Sequence, residues 1–139
     1  MEKFEIHMHS TFSDGEFSPE KLVDIAKGNG VSTLSLTDHD TFSGIKEFMT
    51  AANSEGIFAF PGIEITTRYR GFNLHLLAYF ESADSLSDEL RHEVVSMASM
   101  REKRMRDLII CVNEVIPEKF KGTIEYENVR LAAEGVLAR

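Results

Sequence analysis

Cysteine is nearly missing from this sequence: Cys111 is the single example in 139 residues. That excludes an internal disulfide framework and any cysteine-rich zinc site. It fits a reducing, cytoplasmic setting. Long apolar runs are missing too. None approaches the ~18 residues that span a membrane, so no membrane partner is expected. The first residues, Met1-Glu2-Lys3-Phe4, pass straight into patterned sequence, so no secretory leader is expected. Positive charge is scarce. Fifteen Lys and Arg stand against 23 Asp and Glu, a net −8. A nucleic-acid backbone would gain nothing from that overall field. What remains is ordinary for a globular protein: 42% hydrophobic and 27% charged, with no internal repeat or low-complexity segment. One domain is the natural reading of this length.

Phe4, Ile6 and Met8 alternate with Glu5, His7 and His9, the period of a strand. Ser10–Phe17 is loop chemistry with an Asp14-Gly15 turn. Ser18-Pro19-Glu20 starts a helix: a capping hydroxyl, a proline at the first position and an early acid. Leu22, Val23, Ile25 and Ala26 form its apolar side, and Gly28 and Gly30 stop it. Val31–Leu36 is a second strand, running into Thr37-Asp38-His39-Asp40. Ile45, Phe48, Met49 and Ala52 mark one face of a second helix that Gly56 ends. Asp40 or Thr41 is expected to cap it. A short strand over 57–60 is expected to break at Pro61-Gly62 and resume over 63–67. Arg70–Asn73 reads as a turn, and Leu74–Phe80 as a strand.

The first eighty residues therefore read β-α-β-α-β-β. The fold class is α/β, with a mainly parallel sheet and helices outside it. After Phe80 the pattern becomes helical. A long helix is expected over 85–115, with Ser87 as its cap. Its seam follows Leu90, Val94, Met97, Arg101, Arg104, Leu108, Cys111 and Val115. Cys111 is expected there as a small buried hydrophobe. Thr123 is expected to cap a last short helix and Gly135 to close it. Two units follow from this: 1–80, the α/β part, and 81–139, a helical insertion or appendage.

The chemistry gathers at the strands. His7 and His9 share a face, with backbones ~6.5–7 Å apart, so both imidazoles can converge on one metal ion. Asp14, Asp38-His39-Asp40, Glu64 and His75 follow at or near successive strand ends, where α/β folds place their sites. Imidazole plus carboxylate without thiolate suits Zn, Mn or Fe. His92, on the long helix, reads as a solvated surface group.

His7-Met8-His9-Ser10 with Ser13-Asp14-Gly15, then Leu36-Thr37-Asp38-His39-Asp40, Pro61-Gly62-Ile63-Glu64, and His75-Leu76-Leu77-Ala78-Tyr79 form an ordered set. In that order and spacing the sequence resembles the PHP (polymerase and histidinol phosphatase) superfamily over residues 4–80. The helical stretch resembles the insertion of its small phosphoesterase branch, which acts on nucleoside 3′,5′-bisphosphates and RNA 5′ ends. The resemblance implies the N-terminal part of a distorted (β/α)₇ barrel with up to three divalent ions. It implies His7, His9 and Glu64 on the first, Glu64 and His75 on the second, and Asp14 and His39 on the third. It also implies that Asp38 and Asp40 orient histidines by accepting their other ring N–H. The family completes these shells with later residues: a histidine soon after the insertion and an Asp-x-His near the barrel's end. A closed barrel usually takes ~250 residues. A piece of a longer protein and a truncated homologue both fit.

Metal-dependent hydrolysis of phosphomonoesters on small metabolites, nucleotides or RNA ends is the function expected. An incompetent half-domain, binding metal or a partner, is the alternative. Its unclosed sheet edge would favour self-association. Arg101 and Arg104 allow two readings: side chains snorkelling at the edge of a stripe, or a grip on substrate phosphate.

Overall fold

The computed structural model describes residues 2–133. Its elements are β1 (Phe4–Met8), α1 (Pro19–Gly28), β2 (Thr33–Leu36), α2 (Ile45–Ser54), β3 (Phe58–Tyr69), β4 (Phe72–Tyr79), α3 (Asp88–Val115) and α4 (Tyr126–Ala132). Short 3₁₀ turns cover Ala83–Ser85 and Glu118–Phe120. The four strands form one sheet in the order β1-β2-β3-β4. The first three are parallel, and β4 returns antiparallel to β3.

The helices start and stop for local reasons. The Ser18 hydroxyl accepts the Lys21 N–H, and Pro19 opens α1. The Ser87 hydroxyl accepts the Leu90 N–H at the start of α3. Gly56 follows α2 at φ +68°, a conformation that favours glycine. The apolar faces of α1 and α2 meet β2 in one core: Val23, Ala26, Leu34, Leu36, Ile45, Phe48 and Ala52, all buried. Burying a side chain such as Phe48 contributes ~1.5–3 kcal/mol.

Pro61-Gly62 does not break the third strand. Strand β3 runs unbroken through both, and what changes there is its partner. Phe58–Pro61 pair with Thr33–Leu36, and Gly62–Tyr69 pair with Phe72–Tyr79. Pro61 lies opposite Leu36, where β2 ends, so its missing N–H costs little there, and its carbonyl accepts the Phe80 N–H. Gly62 is needed for space: a Cβ there would lie 2.6 Å from Ser35 Oγ and 2.8 Å from Thr37 Cγ2. The hairpin beyond it closes through Arg70 and Gly71, both at positive φ, as a two-residue primed turn requires.

Other expectations shift. Strand β2 begins at Thr33 rather than Val31. Gly44, not Asp40 or Thr41, is the residue before α2, and no side chain caps it. Helix α4 starts at Tyr126 after Glu125, while the Thr123 hydroxyl turns back to the Phe120 carbonyl. Gly135 lies outside the described residues. The seam of α3 also departs after Arg101. The sheltered positions are Leu90, Val94, Met97, Arg101, Met105, Ile109 and Val112. The step beyond Arg101 is four residues, not three. Arg104, Leu108, Cys111 and Val115 therefore fall on the exposed side. A single cation, not two, interrupts the stripe. His92 is exposed as expected. No helix among the described residues is long and apolar enough to cross a membrane.

Candidate metal centre

The strand ends bring four imidazoles into a row. Ring centroids are 5.1 Å apart for His7–His9, 4.5 Å for His9–His39 and 5.0 Å for His39–His75. Alternation in β1 turns His7 and His9 to one side. His39 is set just past β2 by a parallel bridge to Glu64. In the β3–β4 register Thr66 faces His75 and Glu64 faces Leu77, so Glu64 and His75 share a face.

Glu64 is the hub. Its Oε2 lies 2.8 Å from His7 Nε2, 3.0 Å from His9 Nε2 and 3.8 Å from His39 Nε2. Its Oε1 lies 3.1 Å from His75 Nδ1. The two oxygens thus face different histidines. Asp14 approaches from the β1–α1 loop, with Oδ1 3.4 Å from His9 Nδ1 and 3.9 Å from His39 Nε2. Burial by itself raises the Glu64 pKa. The hydrogen bond with His7 and the charges of His39, His9 and His7 outweigh it and hold the carboxyl below its ordinary value.

The side chains of His39 and Glu64 are 7% and 8% exposed, while His7, Asp14 and His75 are 48%, 44% and 41% exposed. The cluster therefore has a buried floor and an open mouth. Donor atoms converge within 4.8 Å of one another in three overlapping groups: His7, His9 and Glu64; His9, Asp14 and His39; His39, Glu64 and His75. Neutral imidazole and carboxylate oxygen are the donors that first-row divalent ions take, so this set fits such ions.

Asp38 and Asp40 hold the polypeptide around the cluster. Buried Asp38 accepts the Ser10 N–H at 2.7 Å, the Ser10 hydroxyl at 2.6 Å and the Ser13 hydroxyl at 2.5 Å. It ties down the loop between His9 and Asp14. Ser10 and Ser13 are the residues sequence reasoning left without a role. The signal was there in the small hydroxyls beside His9 and Asp14. Asp40 Oδ1 accepts the Thr66 N–H at 2.6 Å, and Oδ2 pairs with Arg101. The contacts these two acids make include hydroxyls, backbone and a guanidinium. Tyr79 was also missed. Its hydroxyl donates to the Ile6 carbonyl at 2.9 Å, strapping β4 to β1, and burial and then the Glu64 charge raise its pKa.

Of the two arginines expected at the site, the structure brings in one. Arg101 reaches Asp40, and Arg104 is exposed on the far side of α3. Between α3 and the loops after β1 and β2 lies a cleft of about 860 Å³. Phe12, Phe42, Val94, Ala98, Arg91 and Arg101 are among its walls. It adjoins the histidine row rather than containing it.

The PHP domain family model matches residues 5–138. The chain belongs to the PHP domain family. Its sheet and helices are the matching part of a PHP barrel. A 5′-3′ exoribonuclease of Haemophilus influenzae is 39% identical over 102 residues, covering 73% of this chain and 36% of that protein. A 3′,5′-nucleoside bisphosphate phosphatase of Chromobacterium violaceum is 32% identical over 77 residues, 55% of this chain and 27% of that one. Among solved structures, a candidate metal-dependent phosphoesterase from Bifidobacterium adolescentis superposes with a TM-score of 0.81 at 23% identity. The match covers 99% of this chain and 46% of that one, and it shows the shared fold. The chain spans less than half the length of these relatives.

Proposed function

We propose that this PHP chain forms part of a metal-dependent phosphoesterase acting on small phosphorylated metabolites, nucleotides or RNA ends. The observation that carries the reading is the convergence of four imidazoles on the two oxygens of Glu64, with Asp14 alongside. His7, His9 and Glu64 Oε2 would hold one divalent ion, Glu64 Oε1 and His75 a second, and Asp14 with His39 a third. Mn, Zn and Fe all suit these donors. When bound, such ions supply Lewis acidity toward phosphate oxygens and make water acidic enough to furnish a nucleophile at neutral pH.

The protein's own part is positioning. Buried His39 and Glu64 give the cluster a fixed floor, and the exposed edges of His7, Asp14 and His75 leave room for a phosphate. Asp38 fixes the Asp14 loop through Ser10 and Ser13. The neighbouring cleft has aromatic and aliphatic walls with the Arg91 guanidinium beside them, and its size is that of a small-molecule pocket. That chemistry supports a substrate with both an organic body and a phosphate. The exoribonuclease and bisphosphate phosphatase relatives support the same class. A reducing cytoplasmic setting belongs to this reading, since Cys111 is a free, exposed thiol.

A second reading, a catalytically incompetent half-domain that binds metal or associates with a partner or itself, draws on the exposed sheet face. Phe72, Leu74 and Leu76 of β4 lie open there. One experiment separates the two. The purified chain is loaded with Mn or Zn and offered adenosine 3′,5′-bisphosphate and a 5′-phosphorylated oligoribonucleotide. Phosphate release abolished by chelator is expected. Metal uptake without turnover would favour the second reading, and no uptake would refute the phosphoesterase.

A further inference from the structure

We propose that Arg101 is a positioning residue, whose pairing with Asp40 clamps helix α3 onto the turn that sets His39 against Glu64. The inference rests on the metal reading above but concerns a residue that ligates nothing. Helix α3 breaks its own pattern. A guanidinium stands in the middle of the sheltered stripe, between Met97 and Met105, where apolar side chains sit on either turn. Its side chain is 17% exposed, and the Asp40 side chain it meets is 0% exposed. Burial holds the Arg101 pKa below its ordinary value, as expected for a cation kept from water.

Asp40 is a demanding place for that partner. Its φ is +47°, a left-handed conformation that few non-glycine residues adopt. Such backbone persists only where surrounding contacts over-determine it. Three do so here. The Asp40 N–H donates to the Glu64 carbonyl at 3.0 Å, the Thr66 N–H donates to Asp40 Oδ1 at 2.6 Å, and Arg101 takes Oδ2. Two residues earlier, the Glu64 N–H donates to the Asp38 carbonyl at 3.2 Å. The turn 38–40 is thus stitched to β3 on both sides of Glu64. Without Arg101, Asp40 would be a buried carboxylate lacking its countercharge, which destabilises the turn that holds it. A turn that gives way there would displace His39 and the Glu64 backbone together. The same pairing makes Arg101 a poor candidate for a free phosphate grip.

The test uses the full chain with Arg101→Met, Arg101→Lys and, as control, Arg104→Met on the exposed side of the same helix. Zn and Mn affinities are measured without substrate. Outer-shell partners of metal ligands typically carry 10- to 100-fold in affinity, and Arg101 acts through one more residue, so ~10-fold weaker binding is expected for Arg101→Met. Arg101→Lys should recover most of that loss, and Arg104→Met should match the parent. Amide exchange of the metal-free chains gives a second readout. The Asp40 and Thr66 amides should exchange ~10-fold faster in Arg101→Met. Parent-like affinity and parent-like protection in Arg101→Met overturn the clamp, as does equal loss in Arg104→Met. Normal metal binding with impaired turnover would assign Arg101 to substrate instead. If the parent binds no metal, the function proposed above fails, and the amide exchange still decides the clamp.

Discussion

Glu64→Gln keeps the shape of the hub and removes its charge. The two donor groups that include Glu64 lose their only anionic oxygen, while His9, Asp14 and His39 keep theirs. In the parent, Oε2 lies within 3.0 Å of two imidazole nitrogens and Oε1 within 3.1 Å of a third. A charged contact of this kind is worth at least that of a charged hydrogen bond, ~1.5–3 kcal/mol. At 1.4 kcal/mol per decade, each of the two sites should weaken by roughly 10- to 100-fold or more. The measurement is elemental analysis after equilibrium dialysis against limiting Mn or Zn. Glu64→Gln should lose the ions of two groups and keep the third. Asp14→Asn should do the reverse, losing one and keeping two. Identical losses in both variants would refute the division of the cluster. An undiminished metal content in Glu64→Gln would remove Glu64 as the hub altogether.

Acid should reveal the same residue in the metal-free chain. Because Glu64 has a folded pKa below its ordinary 4.5, its contribution to stability is complete above that value and is lost as pH falls through the folded pKa. Urea midpoints taken from about pH 7 to about pH 3 should fall more steeply for the parent than for Glu64→Gln, and parallel curves would contradict this. At Gly15 an added Cβ would lie 1.9 Å from the His9 carbonyl oxygen. Gly15→Ala should therefore cost about 3 kcal/mol or more in thermal or urea unfolding and weaken metal binding at Asp14. A melt like the parent's would show that the loop gives way freely.

Much of the site was legible because its spacing is local. Two residues return a strand to the same face, so His7 and His9 belong together on sequence grounds alone. The Ser18 and Ser87 caps were readable for the same reason. What failed was decided across the fold. Pro61 looks like a strand breaker to a rule about missing N–H groups, but it falls where β2 runs out and the donor is not needed. A helix of 3.6 residues per turn allows steps of three and four alike. The four-residue continuation through Met105, Ile109 and Val112 is apolar throughout, whereas the three-residue one opens on Arg104. The buried carboxylate of Asp40, sixty-one positions earlier in the chain, makes Arg101 a sheltered position and leaves Arg104 and Cys111 outside. Asp40 has the right type for a helix cap, but α2 begins only after Gly44, and Asp40 accepts the Thr66 N–H of β3 instead.

The bond from Tyr79 back to Ile6 spans 73 residues, and the contact between His7 and Glu64 spans 57. Contacts of such reach cannot form until β1 and the β3–β4 hairpin have been brought together, and closing long loops costs entropy before it is repaid. The histidine row therefore depends on the assembled sheet. Any ion that recognises only the finished row pulls the whole folding equilibrium with it, by ~2.7 kcal/mol at a hundredfold excess over its Kd. Metal supply would then govern how much of this chain persists in the cell, through proteolysis of its open forms, as well as what it can do once folded.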